Sequence, residues 1–308
     1  MSSSILTAPA EVRAESLNRA MKEAAALADR TLDSLLPQAD VLHGRVAEAM
    51  RYAIFAGGKR LRPFLTLASS RLFDVPEPRA LRAAAAIEAL HTYSLVHDDL
   101  PCMDDDDLRR GRPTTHRQFD EATAVLAGDA LLTLAFGVLA DGETHPNGAV
   151  RAALVARLAS AGGHDGMIGG QMMDMLAPER SYGGDEVVLL QRMKTGALFE
   201  FSCEAGAILA EAGEEDRRRL RDYARDFGLA FQIADDLIDA LGTEEQAGKA
   251  VGKDEEQGKA TLISLYGVDG ARAKAAQLAE QAAETLQPYG PKADELRALP
   301  FFLLDRAA

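Results

Sequence analysis

The segment from His91 to His116, HTYSLVHDDLPCMDDDDLRRGRPTTH, places a dense acidic cluster at the end of an apolar run, and any fold for this chain must neutralise it. Six carboxylates (Asp98, Asp99, Asp104, Asp105, Asp106, Asp107) fall within ten positions, with Arg109, Arg110, Arg112 and Arg117 close behind. Like charges crowded beside a hydrophobic segment cost stability unless cations hold them. Oxygen-only ligands suit a divalent metal, and Mg²⁺ typically takes one or two carboxylates plus substrate phosphate. A calcium EF-hand does not fit, because no frame of the run combines its alternating acids, its Gly and its terminal Glu. A solvated acidic loop is the plainer alternative.

Pro101 lies inside the cluster and cannot donate to the carbonyl of His97, so the helix delivering the aspartates must kink, bulge or end there. With two residues looped out, Asp104 takes the place of position 102 in a regular helix, one turn after Asp98. The delivering helix is expected to start after Pro78 and to run through Ala83, Ile87 and Leu90 to Val96. His91 sits two turns before Asp98 on the same face, about 10 Å away along the axis.

Elsewhere the chain is rich in Ala, Leu, Glu, Arg and Met, with few β-branched runs, which points to helices nearly throughout. Its 308 residues, 47% hydrophobic, suffice for a substantial core. Residues 1–14 read as a mobile N-terminal tail and 15–308 as a single all-α domain. A helix from Glu15 to Leu36 and another from Asp40, an N-cap candidate, to Phe55 come first. The net charge of −14 argues against a nucleic-acid partner, so any anionic ligand needs a local cationic cluster. Cys102 and Cys203 are too far apart to suggest a zinc pair, and no signal peptide or run of 18 apolar residues is evident. These features predict a soluble, cytoplasmic protein with no membrane partner.

Upstream of the acidic run lies GGKRLRP (Gly57–Pro63). Gly57 and Gly58 permit close backbone approach, and Lys59, Arg60 and Arg62 follow at a helix start, a combination suited to an anion. It is not a Walker loop. Downstream, FGLAFQIADDLIDALG carries Asp235, Asp236 and Asp239 on an apolar helix, with Asp235 and Asp239 one turn apart. Carboxylates so spaced repel by a few tenths of a kcal/mol, roughly, and make sense if a cation bridges them. Between the two clusters, Gly162–Met175 reads as close helix packing, although it carries Gln171 and Asp174. Gly196, just after Lys194 and Thr195, suggests local unwinding of a helix. The stretch from Glu244 to Thr261 has the composition of a lid and carries Lys249, Lys253 and Lys259.

Two acidic clusters on separate helices, with three cationic segments, suggest one cavity whose opposed carboxylate walls hold metal around a diphosphate. DDLPCMD followed by DDDLRRGRPTTH, with GGKRLRP before and FQIADDLID after, resembles the trans-prenyltransferases, most closely the bacterial farnesyl diphosphate synthases. The resemblance spans roughly Gly57 to Thr261. It implies an isoprenoid synthase type helical bundle around a central catalytic cavity, generally a homodimer. The implied reaction joins dimethylallyl or geranyl diphosphate head-to-tail to isopentenyl diphosphate. Asp98, Asp99 and Asp104 with Asp235, Asp236 and Asp239 match the ligands of three Mg²⁺ ions, with Asp98, Asp104 and Asp235 the firmest. Gly58, Lys59, Arg62, His91 and Arg110 match the isopentenyl diphosphate site. Arg109, Lys194, Lys249 and Lys259 match the allylic diphosphate contacts. Lys194, through its carbonyl, with Thr195 and Gln232, sits where the family steadies the allylic cation.

Tyr93 lies about 7.5 Å along the axis before Asp98, toward the core, with Ser94 beside it. A ring there implies early termination and a farnesyl (C15) product, with geranylgeranyl diphosphate (C20) as the alternative. A terpene cyclase would normally lack GGKR and the second acidic motif. A silent partner subunit would be expected to have lost one of the two.

Overall fold

The computed structural model describes residues 10–241 and 262–305. Helix α1 spans Ala10–Leu35, α2 Gly44–Ile54, α3 Leu61–Leu72 and α4 Glu77–Asp98. A two-strand hairpin follows, β1 (Leu108–Arg109) paired antiparallel with β2 (Arg112–Pro113). Next come α5 (Thr115–Gln118), α6 (Glu121–Ala140), α7 (Gly148–Gly162), α8 (Met167–Leu176) and α9 (Gly184–Gln191). A π turn at Arg192–Gly196 leads into α10 (Ala197–Leu209), then α11 (Glu214–Leu241), α12 (Leu262–Thr285) and α13 (Asp294–Asp305). The expected all-α bundle is what the chain forms.

Two boundaries differ from expectation. Helix α1 starts at Ala10, so residues 10–14 belong to a helix and not to a tail; Ala, Glu and Arg in that stretch favour helix, and Pro9 precedes it. Helix α2 starts at Gly44 with His43 at its N-cap, not at Asp40. The turn before it brings Gly44 so close to the Ala39 carbonyl that a Cβ would not fit.

Helix α4 is the axis of the fold. Ala83, Ala84, Ala85 and Ala86 are all buried, so small side chains face neighbours on every side and let helices approach closely. On one side Ile87, Leu90 and Tyr93 pack with Leu131 and Ala135 of α6, Leu154 and Leu158 of α7, and Phe201 of α10. On the other, Ala80 and Ala84 join Phe64 and Leu65 of α3, Phe199 and Cys203 of α10, and Tyr223 and Phe227 of α11. Each fully buried Leu, Ile or Phe contributes about 1.5–3 kcal/mol. A third cluster joins Leu229, Ile233 and Leu237 of α11 to Leu262, Ala271 and Ala275 of α12.

Charge is also buried where it can be paired. Glu204, fully buried on α10, accepts from Arg157 of α7 at 2.6 Å and from Arg217 and Arg221 of α11 at 3.0 and 2.6 Å. Removing one partner of such a set is costly, because the remaining charge stays desolvated. The network therefore pins α7, α10 and α11 together behind the cavity.

Helix α6 is long and apolar enough to cross a membrane by length and composition, its single Asp129 notwithstanding. Here it lies in the bundle against α4, α2 and α7, burying Ala124, Ala127, Leu131 and Ala135.

Candidate active site

Helix α4 ends at Asp98, and the chain then turns through Pro101. The amide of Asp104 donates to the carbonyl of Asp98 at 2.9 Å, a bond spanning six residues where a helix spans four. Two residues are thus looped out, and Asp104 returns to the position one turn after Asp98. Burial pushes the Asp98 carboxyl up to about 6, and the neighbouring Asp104 and Asp99 add to this while Lys194 and Arg109 oppose it. A desolvated carboxylate among other carboxylates is a cation-seeking group.

The hairpin was not legible in the sequence. Arg110 and Gly111 at its tip have φ of 53° and 74°, the left-handed pair of a tight two-residue turn. Its effect is to fold Arg109 and Arg110 back over the start of the site. Arg109 binds Asp99 through Nε at 2.8 and 2.9 Å and through Nη2 at 2.6 Å. Asp99 is 2% exposed, so this pair is a buried clasp between α4 and β1, set apart from the acids that face the cavity. Arg110 donates to the carbonyl of Gly57. Gly58, at φ 133°, lies where a Cβ would strike the Arg110 guanidinium, which explains the glycine pair of GGKR.

Arg62, His91 and Arg110 form a cationic corner. The Arg62 guanidinium stacks over the Phe199 ring at 4.7 Å, and its buried Nε has no hydrogen-bond partner. Burial and the nearby Arg110 lower Arg62 to about 10, partly offset by Glu88. His91 is held neutral, well below the usual imidazole range, by burial and by Arg62 and Arg110. It therefore offers a hydrogen bond and no charge. An orphaned guanidinium N–H inside a positive corner is a site waiting for an anion.

Arg60, by contrast, is structural. It caps α3 in the left-handed region (φ 47°) and is 4% exposed. Its guanidinium binds Asp29 of α1 at 2.8 Å, Glu88 of α4 at 2.8 Å and the Ile54 carbonyl at 2.5 Å. The six-residue loop between α2 and α3 is thereby anchored to three helices, and Lys59 within it is exposed.

A cavity of about 720 Å³ opens from this corner. Arg62, His91, Asp98, Lys194 and Thr195 stand on its polar side; Tyr93, Ser94, Leu100, Met167, Ile168 and Leu198 are among its apolar and small lining. The Ser94 hydroxyl donates back to the His91 carbonyl at 2.9 Å, so it presents little polarity to the cavity. Lys194 and Thr195 come from the π turn. The helix does not unwind at Gly196, whose dihedrals are helical; it widens to i→i+5 bonding, and such turns recur at functional sites.

The π turn also reaches the second acidic motif. Thr195 Oγ1 donates to Gln232 Oε1 at 3.1 Å, and Gln232 Nε2 donates to Asp236 Oδ1 at 2.9 Å. Asp236 Oδ2 accepts from the Leu262 amide at 2.8 Å. Oδ1 of Asp236 is thus engaged by a residue of its own helix and Oδ2 by the start of α12, while Asp235 is exposed. Asp239 is buried. Lys249 and Lys259 lie outside the described residues.

Gln171 and Asp174, assigned above to packing, belong to the site. Gln171 lines the cavity with its Nε2 buried and unpartnered, and Asp174 binds Lys194 at 2.5 Å. Gly170 supplied the only sequence signal: it lets α8 press against the backbone of Lys194, where a Cβ would collide.

Among the described residues no three acids or imidazoles stand close enough to cage an ion. Mg²⁺ commonly takes one or two carboxylates and fills the rest of its shell with phosphate and water. The raised Asp98 carboxyl, with Asp104 a turn away, fits such an ion.

Comparison with known proteins agrees with this geometry. A polyprenyl synthetase family model matches residues 43–294. The chain is 47% identical to the farnesyl diphosphate synthase of Bacillus subtilis over 228 residues, 74% of this chain and 77% of that protein. With the farnesyl diphosphate synthase of Escherichia coli it shares 43% identity over 268 residues, 85% of this chain and 89% of that one. The crystal structure of an FPP/GFPP synthase from Zymomonas mobilis superposes with a TM-score of 0.86 at 46% identity, covering 94% of this chain and 99% of that one. A largely apolar cavity with Asp98, Lys194 and Arg62 on its polar side, set within a helical bundle, thus comes with this match across most of the chain, which belongs to the polyprenyl synthetase family of prenyltransferases.

Proposed function

We propose that the cavity joins isopentenyl diphosphate head-to-tail to dimethylallyl and geranyl diphosphates, giving farnesyl diphosphate. The observation that carries this reading is the pairing of two charged polar regions with one apolar pocket. One is the Arg62–His91–Arg110 corner, the other the Asp98–Lys194 region. Both open on the same cavity of about 720 Å³.

Arg62, Arg110, Lys59 and the neutral His91 would hold the isopentenyl diphosphate. Lys194 would meet the allylic diphosphate, joined by Arg109 and by Lys249 and Lys259. Asp98, Asp104 and Asp235 would ligate Mg²⁺, three ions in all, with Asp99, Asp236 and Asp239 supporting them. Bound there, Mg²⁺ supplies the positive charge that makes diphosphate a competent leaving group. Thr195 and Gln232, tied to each other, orient oxygen toward the allylic carbon, where positive charge develops. The apolar lining excludes water, so the cation meets the isopentenyl double bond and not a hydroxyl. The final proton passes to the released diphosphate, and no side-chain base is needed. His91, the nearest candidate, is occupied with the other substrate.

Tyr93, 7% exposed and facing the cavity, would stop the growing tail at C15; a C20 product is the alternative. Purified protein incubated with Mg²⁺, isopentenyl diphosphate and dimethylallyl diphosphate should give chiefly C15 diphosphate. Absence of any elongation product would overturn the assignment.

The same reading makes the protein a soluble, cytoplasmic homodimer. A groove of about 810 Å³ between α1, α2 and α6 is lined by Leu35, Val41, Met50, Leu126 and Leu134. Val41, Leu42 and Leu126 are 49%, 106% and 53% exposed, an apolar face that a second copy would cover.

A further inference from the structure

We propose that His97 and Gly128 govern product length at the cavity wall, His97 as a positioning residue that holds the Tyr93 ring and Gly128 as the notch that seats His97. The inference rests on Tyr93 being the floor of the cavity.

His97 lies one turn after Tyr93 on α4. Its imidazole meets the Tyr93 ring edge to face, with centroids 5.3 Å apart and planes at 83°. Contacts of this kind are directional and fix the orientation of a ring more than area burial does. The imidazole is itself held. Its Nε2 lies 3.0 Å from the carbonyl of Val125 on α6, and because a carbonyl only accepts, Nε2 carries the proton. Three residues further along α6, Gly128 presents no side chain to this ring. A Cβ there would lie 2.9 Å from Cε1 of His97 and closer still to Nε2 and Cδ2. Any other residue at 128 must therefore push the ring out of place. Tyr93, His97 and Val125 all border the same cavity. The two rings thus stand side by side in the wall, His97 one turn nearer Asp98 and keyed into α6.

A ring that blocks a growing chain must resist being turned aside. Tyr93 on its own has other rotamers. With His97 in place, turning the ring means giving up the edge contact, and moving His97 means breaking its bond to Val125.

The test is product sizing with the full-length protein, supplied with Mg²⁺, isopentenyl diphosphate and dimethylallyl diphosphate. His97→Gln and Gly128→Ala should each raise the share of products longer than C15 by about three- to tenfold, the scale of one edge-to-face contact. His97→Gln keeps an N–H near Val125 and tests the ring alone if the alanine variant fails to fold. Tyr93→Ala is the control. If it lengthens the product while folded His97→Gln and Gly128→Ala keep the original distribution, the buttress is wrong and the floor stands. If Tyr93→Ala leaves product length unchanged, the floor falls and the buttress with it. Lower turnover at an unaltered length distribution also overturns the proposal, since a merely structural role would give that.

Discussion

Thr195 and Gln232 are joined by a 3.1 Å hydrogen bond between the π turn and α11, and Gln232 continues the link to Asp236. Gln232→Leu breaks this line at its middle and removes the Gln232 donor from Asp236, whose bond to the Leu262 amide remains. Turnover should fall by about tenfold to a hundredfold, the loss expected for one or two oriented polar contacts at a reacting centre. The Mg²⁺ concentration for half-maximal rate should rise as well. Steady-state titration with Mg²⁺ checks both, and an unaltered Mg²⁺ dependence would detach Gln232 from the metal side of the site.

Asp98→Asn should abolish most activity and leave the fold intact or firmer. Asp98 is raised to about 6 from an ordinary 3.8, chiefly by burial. Between those values the folded chain holds the proton more tightly than the unfolded chain, so this group's share of stability falls as pH rises from about 4 to about 6. Above that window the ionised carboxylate is a net cost, which Asn removes. Denaturant unfolding in the presence of chelator should show wild type losing stability relative to Asp98→Asn across that window. His91, held neutral, gives the opposite slope, but it does so equally in both proteins.

Arg62→Met separates binding from stability. Losing a charged donor to a diphosphate should raise KM for isopentenyl diphosphate by about tenfold or more. KM for the allylic substrate should change little. The ligand-free protein should be no less stable, because Arg62 is buried beside another arginine with an N–H unmet. Equal rises in both KM values would refute the assignment of this corner to one substrate.

Arg60→Met should behave in the opposite way. It strands Glu88, 3% exposed, without its cation, at a cost of about 3–5 kcal/mol. Adding Glu88→Leu should recover much of that loss, a coupling that a double-mutant cycle by chemical denaturation would read directly.

Leu126→Glu tests the dimer. A carboxylate on the exposed face of α6 should shift the protein to monomer in light scattering while its helical content stays the same. A dimer of undiminished affinity would move the interface elsewhere.

The sequence carried the helices and the acidic motifs well, because apolar periodicity and crowded charge are local properties. Pro101 was enough to imply that the helix kinks, bulges or ends within the cluster, and a loop of two residues before Asp104 is the form that this takes. What escaped was pairing. Adjacent aspartates look alike in sequence, yet Asp98 faces the cavity while Asp99 is clasped by Arg109, and Asp235 is exposed while Asp236 holds the start of α12. Which of two neighbours turns inward depends on partners ten to thirty residues away. Likewise Arg60 and Arg62 share one short motif, and only the meeting of α1, α2 and α4 makes the first a strut and the second a donor. Gln171 and Asp174 were hidden for the same reason, since only the packing of α8 against the π turn brings Asp174 to Lys194 and Gln171 to the cavity.

The π turn at Arg192–Gly196 has a consequence for how this chain tolerates change. Bonding of i→i+5 accommodates one residue beyond an ordinary turn. Deleting one residue there would restore an α turn without rotating the helices on either side, because the wider turn had already absorbed the extra residue. Lys194 and Thr195 would swing off the cavity together, while the helices on either side kept their form. The length of this turn is therefore as much a part of the site as the side chains it carries.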